Sequence, residues 1–292
     1  MKKEYLLSYK SFANILNETV FGKSKLDLLK KIASNPNRFI GIFRPTKPKG
    51  KILQNLLQSH EIRFGNAIET MITEYLKLNG AELLPNKYDL LDGSYIDVDL
   101  CFRYKNIIYV VELKIRDDHD STKIRGQAQN FELKIDTLLS IHKKEKSICG
   151  VFFCIDPGLV KNMAFYKKYF DKIKEKLGVN VEMCYGKDFF SLLKIENIWD
   201  EICEYLVKWK EEIPDLPEVN FDTDAEQSFN EIKDLPPSIF IKLFENDQLY
   251  NEIILTLFPQ KKTLHLLKNY FKELAIDQTR YNTLFNILKN KL

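Results

Sequence analysis

A nearly uninterrupted apolar segment at residues 147–155 constrains the fold more than any other part of this sequence. It is too short to span a membrane, and an apolar run without alternation is typical of a strand whose two faces are both covered. Helical patterns lie on either side of it, at about residues 121–142 and 160–177. The segment therefore predicts the central strand of a sheet that is flanked by helices.

The neighbouring elements predict an α/β fold with a mixed sheet. A helix over about residues 61–79 is followed by two alternating strands, at about 94–104 and 106–115, that are joined by a short turn. A last strand at about residues 179–185 precedes a helix at about 187–212. An antiparallel strand pair followed by strand–helix–strand connections gives a mixed central sheet between helices.

The regions on either side of these strands have helical patterns. Residues 1–35 predict one or two amphipathic helices, and residues 225–292 are helical in pattern with breaks at prolines. The Pro-punctuated segment at residues 35–51 is expected to be extended. We therefore divide the chain into a basic N-terminal arm, a core and a C-terminal helical region, at residues 1–60, 61–212 and 225–292.

The formal net charge of +3 conceals opposite local charges. Residues 1–63 and 261–292 carry net charges of +9 and +5, whereas residues 64–214 and 215–260 carry −3 and −8. Basic regions beside an acidic middle are what we expect of an enzyme that binds a polyanion near a carboxylate site, although solvated helices give a similar count. Isolated histidines disfavour a zinc site, and the lack of a glycine-rich phosphate loop disfavours nucleotide hydrolysis.

The cellular location is predicted from the first residues and from the cysteines. The N-terminal sequence has no long apolar segment, so we expect neither a signal peptide nor association with a membrane. The five cysteines form no C-x-x-C pair and suit buried, reduced thiols. These features favour a cytoplasmic protein.

The residues that can carry chemistry lie on the two strands of the predicted hairpin. Glu112 and Lys114 are two residues apart in an otherwise apolar strand, so they project from one face. A tight hairpin can bring Asp99 opposite Glu112, and Asp97 is a competing choice because it shares a face with Asp99. Two close carboxylates can hold a hard divalent cation, and Lys114 can orient a water molecule or stabilise phosphorane charge. A surface ion pair in an unrelated α/β protein is the alternative.

Residues of two predicted helices favour a functional site over a surface ion pair. Glu69 falls on the apolar stripe of its helix, where a carboxylate is unexpected unless a cation lies opposite it. In the helix that follows the Glu-x-Lys strand, Gln127 borders the apolar face, while Arg125 and Gln129 lie on the polar side. Both helices are adjacent to the hairpin in the chain, so their polar side chains can reach the same place.

Together, these residues resemble a known family. Glu69 in a leading helix, Asp99, and then Glu112-Leu113-Lys114 are similar to the signature of the PD-(D/E)XK nucleases, with Val98-Asp99 in place of Pro-Asp. The resemblance spans roughly residues 60–192. Two stretches, Tyr185-Gly186-Lys187-Asp188-Phe189-Phe190 and Lys123-Ile124-Arg125-Gly126-Gln127, are more specifically similar to type II restriction endonucleases of the HinfI-like group.

The resemblance implies a restriction-endonuclease-like core and Mg²⁺-dependent hydrolysis of DNA that leaves 5′-phosphate ends. Asp99 and Glu112 would bind the metal ion, Glu69 would be an additional or outer ligand, and Lys114 would position the attacking water. Gln127 would support the site or the DNA backbone. The resemblance further implies double-stranded DNA as the substrate and a cognate DNA methyltransferase in the same system. A homodimer on a short site is expected from symmetry alone, because two strands must be cut and one chain shows one site.

The candidates for contact with DNA lie in the basic Pro-punctuated segment and in the helix after the hairpin. They are Arg44, Lys47, Lys49, Lys51, Lys123, Arg125 and Gln129. The C-terminal helical region is a candidate for target recognition, for dimerisation, or for packing alone. A non-specific or repair nuclease of the same superfamily and a DNA-binding protein with an inactive core are the alternatives to a restriction enzyme.

Overall fold

The computed structural model describes residues 5–43, 45–90, 93–118, 120–142, 147–276 and 279–292. The chain forms two compact units. Unit 1 consists of Met1–Leu16 and Gly65–Glu212, and unit 2 of Asn17–Phe64 and Ile213–Leu292. Within the described ranges, no helix is both long and apolar enough to cross a membrane.

Unit 1 contains the mixed sheet that the sequence predicts. The strands in the described residues are β1 (Glu82–Leu83), β2 (Lys87–Asp89), β3 (Tyr95–Asp97), β4 (Leu100–Tyr104), β5 (Ile107–Lys114), β6 (Ile148–Cys154) and β7 (Asn180–Tyr185). Five of them form one sheet in the order β1-β4-β5-β6-β7; β4 pairs antiparallel with β1 and β5, and β6 pairs parallel with β5 and β7. A second, small sheet pairs β2 with β3. The α/β class and the mixed sheet are confirmed.

Helices make up most of the remaining described chain. In unit 1 and at its borders they are α1 (Tyr9–Val20), α4 (Pro48–Leu78), α5 (Ser121–Ile141), α6 (Met163–Leu177), α7 (Lys187–Leu193) and α8 (Asn197–Glu212). Unit 2 has α2 (Ser24–Ser34), α3 (Asn37–Ile40), α9 (Ala225–Ile232), α10 (Pro237–Glu245), α11 (Asp247–Leu249), a π-helical segment (Tyr250–Ile254), α12 (Leu255–Leu257), α13 (Lys262–Leu274) and α14 (Thr279–Lys291). The helical character predicted for both terminal regions is confirmed.

The expectation of an extended segment at residues 35–51 is wrong at both of its ends. Helix α3 begins at Asn37, directly after Pro36, and α4 begins with Pro48 itself. Proline suits the first turn of a helix, because the N–H group that it lacks has no partner there in any case. Lys49 and Lys51 therefore lie at the start of a helix of 31 residues and not in a loop.

Residues 17–64 pack together with the C-terminal helices and do not form a separate arm. Their apolar side chains share one core with the C-terminal helices, and this core includes Ile32, Phe39, Leu56, Phe240 and Leu267. The boundary between the two units falls within α4. The roles given to residues 1–60, 61–212 and 225–292, which are DNA contact, catalysis, and recognition or dimerisation, stay predictions.

The hairpin of β4 and β5 has the short turn that the sequence predicts. Lys105 and Asn106 both have positive φ, at 48° and 64°, as the two central residues of a type I′ turn require. The register pairs Leu100 with Val111, so Asp99 lies next to the part of β5 that contains Glu112.

Helix α5 packs closely on the sheet because Gly150 has no side chain. A Cβ at Gly150 would lie 2.5 Å from Ile135 Cδ1 of the helix. Val110 and Phe152 lie in the same core as Ile135. Val110 faces the helix, so Glu112, two residues further along β5, projects on the same side. Close packing at Gly150 therefore brings α5 near the predicted site.

Candidate active site

Asp99 and Glu112 lie side by side where β4 and β5 pair. Asp99 directly precedes β4, and its Oδ2 accepts a hydrogen bond of 2.7 Å from the backbone N–H of Leu113. Glu112 belongs to β5 and is only 4 % exposed. Asp97, the competing aspartate, is exposed, whereas Asp99 is half-buried. The backbone of β5 thus fixes the carboxylate of Asp99, and not that of Asp97, beside Glu112.

Two ammonium groups each contact both carboxylates. Lys114 Nζ lies 2.6 Å from Glu112 Oε1 and 3.6 Å from Asp99 Oδ2. Lys134 Nζ, from α5, lies 2.6 Å from Glu112 Oε2 and 3.9 Å from Asp99 Oδ1. We call Asp99, Glu112, Lys114 and Lys134 the charge cluster. Its positive and negative charges are equal in number, which makes its burial tolerable.

The pKa values in the charge cluster follow from burial and from these contacts. Burial, and then the neighbouring charge of Glu112, raises the pKa of Asp99. Burial alone would raise the pKa of Glu112 as well, but the Lys114 and Lys134 ammonium groups outweigh it and hold that pKa below its usual range. Burial opposes the charged form of Lys114, yet the charges of Glu112 and Asp99 raise its pKa. Glu112 is therefore a carboxylate and Lys114 an ammonium at neutral pH.

Lys134 is the site residue that the sequence analysis missed. It is 5 % exposed and lies on the inner face of α5, among Phe131, Ile135 and Leu138. A signal for it was present in the sequence, since Lys134 continues the apolar stripe through Phe131 and Leu138 by three- and four-residue steps.

Glu69 lies near the charge cluster without contacting it. Burial, followed by the negative charges of Asp99 and Asp97, raises the pKa of Glu69 to about 7. Its carboxylate makes no hydrogen bond or ion pair with the residues that the structure describes.

The described residues include no group of three or more His, Cys, Asp or Glu side chains that could hold a metal ion. A role for Glu69 as a metal ligand therefore stays a prediction.

Gln127 is held by a buried tyrosine. Its Oε1 accepts a hydrogen bond of 2.8 Å from the hydroxyl group of Tyr166, which comes from α6. Burial, and then the charges of Asp117, Cys154 and Glu112, raises the pKa of Tyr166, so this hydroxyl group stays protonated and remains a donor. The fixed acceptor leaves the amide N–H₂ group of Gln127 to act as the donor. Its role in the site stays a prediction.

Asp117, a buried aspartate that the sequence analysis also missed, orders the segment after β5. Asp117 accepts hydrogen bonds of 2.8 Å from both the backbone and the side-chain nitrogen of Asn162, and one of 2.9 Å from the Tyr185 hydroxyl group. These contacts join the chain just after Lys114 to α6 and β7. They position the end of the strand that carries Glu112 and Lys114.

The predicted DNA contacts are at the surface of the described chain, and Arg44 lies outside the described residues. Lys51 is half-buried and donates a hydrogen bond of 2.8 Å to Gln54. The exposed candidates are Lys47, Lys49, Lys123, Arg125 and Gln129. Exposure permits contact with DNA but does not test it.

The two carboxylates of the charge cluster are ligands of the kind that a hard divalent cation such as Mg²⁺ takes. Such an ion accepts one or two carboxylates and fills its other positions with water. Asp99 and Glu112 supply the carboxylates, and the carbonyl oxygen of Leu113, which accepts a hydrogen bond of 3.1 Å from Lys114 Nζ, is a third oxygen at the same place. All of these candidate ligand atoms are oxygens, which Mg²⁺ prefers.

A comparison with protein families identifies the chain. The model of the HinfI type II restriction endonuclease family matches residues 8–90 and 82–210. The chain belongs to this family. The match contains all four residues of the charge cluster and confirms the HinfI-like resemblance seen in the sequence. No curated protein and no solved structure matches the chain.

Membership of the HinfI family gives the charge cluster a substrate class. Restriction endonucleases act on DNA, so the family supports the predictions of a hydrolase, a nuclease and a restriction system. Residues 213–292 lie beyond the matched region, although they share the core of unit 2 with residues 17–64. The family therefore accounts for the sheet and the charge cluster but not for the C-terminal helices.

Proposed function

We propose that this chain is a site-specific endonuclease that hydrolyses double-stranded DNA with Mg²⁺ and leaves 5′-phosphate ends. The observation that carries the proposal is the close contact of Asp99, Glu112 and Lys114 in a member of the HinfI family. In this reaction a water oxygen forms a bond to phosphorus while the bond from phosphorus to the 3′ oxygen breaks. The phosphate group then remains on the 5′ end of the downstream fragment.

Asp99 and Glu112 would hold the Mg²⁺ ion, and Glu69 would be an additional or outer ligand. Mg²⁺ held by these residues would supply a Lewis acid and would lower the pKa of a water molecule that it binds. The ionised form of Glu112, whose pKa is held low by Lys114 and Lys134, supports this assignment, because a metal ligand has to be deprotonated.

Lys114 would be a charged hydrogen-bond donor and not the general base. Its pKa is raised by Glu112 and Asp99, so the amine is protonated at neutral pH. An ammonium group can orient the attacking water and stabilise negative charge on the phosphorane. It cannot accept the proton of that water, which has to leave to solvent or to another group. The amide N–H₂ of Gln127, held by Tyr166, would support the site or the DNA backbone.

The wider biological setting is also part of the proposal. Cutting both strands at a short palindromic site calls for two active sites, and a homodimer supplies them with twofold symmetry. Restriction requires that the host DNA be protected, so we expect a cognate DNA methyltransferase in the same system. Both enzymes would act in the cytoplasm, where the DNA is.

Digestion of plasmid DNA with the purified protein tests the proposal. With Mg²⁺ we expect discrete fragments whose ends can be ligated directly, and with EDTA no cleavage. Lys114→Met should abolish cleavage but retain binding to the duplex, whereas Lys172→Met, at an exposed position of α6, should cut like the wild type. A smear of products would indicate a non-specific nuclease. Binding without any cleavage would indicate an inactive DNA-binding protein.

A further inference from the structure

A cleft in unit 2 has the composition of an anion-binding site. It has a volume of about 220 Å³ and lies between the α2–α3 segment and the middle of α4. No carboxylate is among its described lining residues. Its polar lining consists of Lys31, Asn35, Arg38, Asn55, Gln58 and Ser59. Every one of these side chains can donate a hydrogen bond.

Asn55 is the residue that indicates a ligand. It lines the cleft and is only 7 % exposed, yet its side chain makes no hydrogen bond with any residue that the structure describes. A carboxamide carries two N–H donors and an acceptor oxygen, and none of these is paired with a described residue. Water or a ligand in the cleft is therefore needed to satisfy it.

The two cations of the cleft are available to an anion. Arg38 forms no ion pair with a described residue, and Lys31 Nζ donates a hydrogen bond of 2.5 Å to the neutral hydroxyl group of Ser59. The surrounding sequence is strongly basic, since residues 17–64 contain ten Lys and Arg against three Asp and Glu. A negatively charged ligand is favoured here at long range as well as by direct contact.

We propose that this cleft binds a backbone phosphate of the target DNA, an inference that rests on the proposed function. Phosphates project from the surface of a duplex and accept hydrogen bonds, so a phosphate can enter a recess that is lined with donors. Base edges lie inside the grooves and are contacted by side chains that protrude from the protein surface. The buried side chain of Asn55 does not protrude, so a phosphate is the part of DNA that can reach it. The volume also admits water molecules, and these can donate to Asn55 Oδ1.

The test measures binding of a short labelled DNA duplex at several salt concentrations, in EDTA so that no cleavage occurs. Lys31→Gln and Arg38→Gln should each weaken binding several-fold and make the plot of log K against log salt less steep by about 0.9 for each lost phosphate contact. Lys30→Gln is the matched control, because Lys30 is exposed, adjacent in sequence and outside the cleft lining. It should keep the slope of the wild type.

Asn55 is tested by two substitutions, one to a side chain of the same size and one to a smaller, uncharged side chain. Asn55→Asp places a carboxylate in the cleft and should weaken binding by about tenfold or more through repulsion of the phosphate. Asn55→Ser removes the amide donor without adding charge and should have a smaller effect. Circular dichroism and thermal unfolding show whether both Asn55 variants fold. If Asn55→Asp does not fold, the exposed substitutions Lys31→Gln and Arg38→Gln still test the proposal.

Each result either supports or overturns the proposal. If Lys31→Gln, Arg38→Gln and folded Asn55 variants bind with the affinity and slope of Lys30→Gln, the cleft is not a phosphate site. A change in which plasmid sites are cut, with an unchanged salt slope, would mean that the cleft reads bases, and it would also overturn the proposal. If the wild type binds no duplex at all, both the proposed function and the phosphate site are wrong. If the wild type binds the duplex and the cleft variants behave like Lys30→Gln, only the phosphate site is wrong, so the two failures are distinguishable.

Discussion

Lys134 Nζ lies 2.6 Å from Glu112 Oε2, with both residues buried in unit 1. Lys134 belongs to α5 and Glu112 to β5, so this contact joins a helix to the sheet at the candidate active site. Together with Lys114, it gives Glu112 one ammonium group for each carboxylate oxygen. These two lysines supply the positive charge that keeps Glu112 ionised.

Loss of the Lys134 charge should destabilise the protein most when no metal ion is present. Lys134→Met leaves Glu112 with one cation and should lower the free energy of unfolding in EDTA by about 3 kcal/mol. Mg²⁺ should recover part of this loss, because it returns positive charge to the carboxylates. Urea unfolding in EDTA and in Mg²⁺ measures both effects, with the exposed Lys123→Met as the control. Equal stability of Lys134→Met and wild type in EDTA would contradict the assigned contact.

Glu69 should make the stability of the metal-free protein depend on pH. Its pKa is raised from 4.5 to about 7 in the folded chain, so the folded state binds the proton more tightly than the unfolded state. The stability that this proton contributes is fully present below pH 4.5 and is lost as the pH rises through about 7. Glu69→Gln should therefore gain stability relative to wild type between about pH 5 and pH 8.

Urea unfolding in EDTA across this pH range measures the effect. Glu74→Gln is the matched control on the same helix, because Glu74 forms an ion pair of 2.6 Å with Lys77 at the surface. This control should keep the decline in stability that Glu69→Gln removes. A difference between Glu69→Gln and wild type that is the same at every pH would show that the pKa of Glu69 is not raised by folding.

A methyl group at Gly150 should separate α5 from the sheet. Its Cβ would approach Ile135 Cδ1 to 2.5 Å and Phe131 Cζ to 3.3 Å, so Gly150→Ala should cost about 1–3 kcal/mol. Gly126→Ala, in helix α5 itself, is the opposite case, because no atom lies within 4 Å of the added Cβ. It should stabilise the protein by about 0.5–1 kcal/mol. Thermal unfolding of both variants checks the two signs, and a stabilised Gly150→Ala would refute the close packing.

Glu201 should hold the N-terminal segment to unit 1. This buried carboxylate accepts hydrogen bonds from the backbone N–H groups of Leu6 and Leu7, at 2.8 and 2.9 Å, and from the Tyr75 hydroxyl group at 2.8 Å. Glu201→Ala leaves three donors without their acceptor and should lower the free energy of unfolding by about 3 kcal/mol. Exposed Glu211→Ala should change it little. Faster proteolysis near Leu6 should accompany the loss, and unchanged proteolysis would speak against this attachment.

The sequence predicted the hairpin and its three catalytic candidates because local rules determine them. Alternation places Glu112 and Lys114 on one face, and the short turn at Lys105 and Asn106 sets the register that brings Asp99 to β5. The apolar run at residues 147–155 likewise predicted the buried interior strand β6, although the middle strand of the sheet is β5. These features depend on residues that are close in the chain.

The partner of Lys134 could not be predicted in this way, although the apolar stripe of its helix marks Lys134 as inward-facing. Lys134 reaches Glu112 from a different element, and the approach of α5 at Gly150 that permits this contact is a tertiary property. The early start of α4 was missed because proline forbids the interior of a helix but is suited to its first turn. The short strands β1 and β2 are stabilised by their pairing with β4 and β3, so their own sequences give little signal.

Plasmid cleavage by Asp99→Asn and Asp97→Asn tests the central claim most directly. Asp99 contacts β5 and Lys114, whereas Asp97 is an exposed residue two positions away, so the two variants remove the same charge from different places. With Mg²⁺ we predict that Asp99→Asn binds duplex DNA but produces no fragments, and that Asp97→Asn gives the fragments of the wild type. Wild-type cleavage by Asp99→Asn would contradict the account.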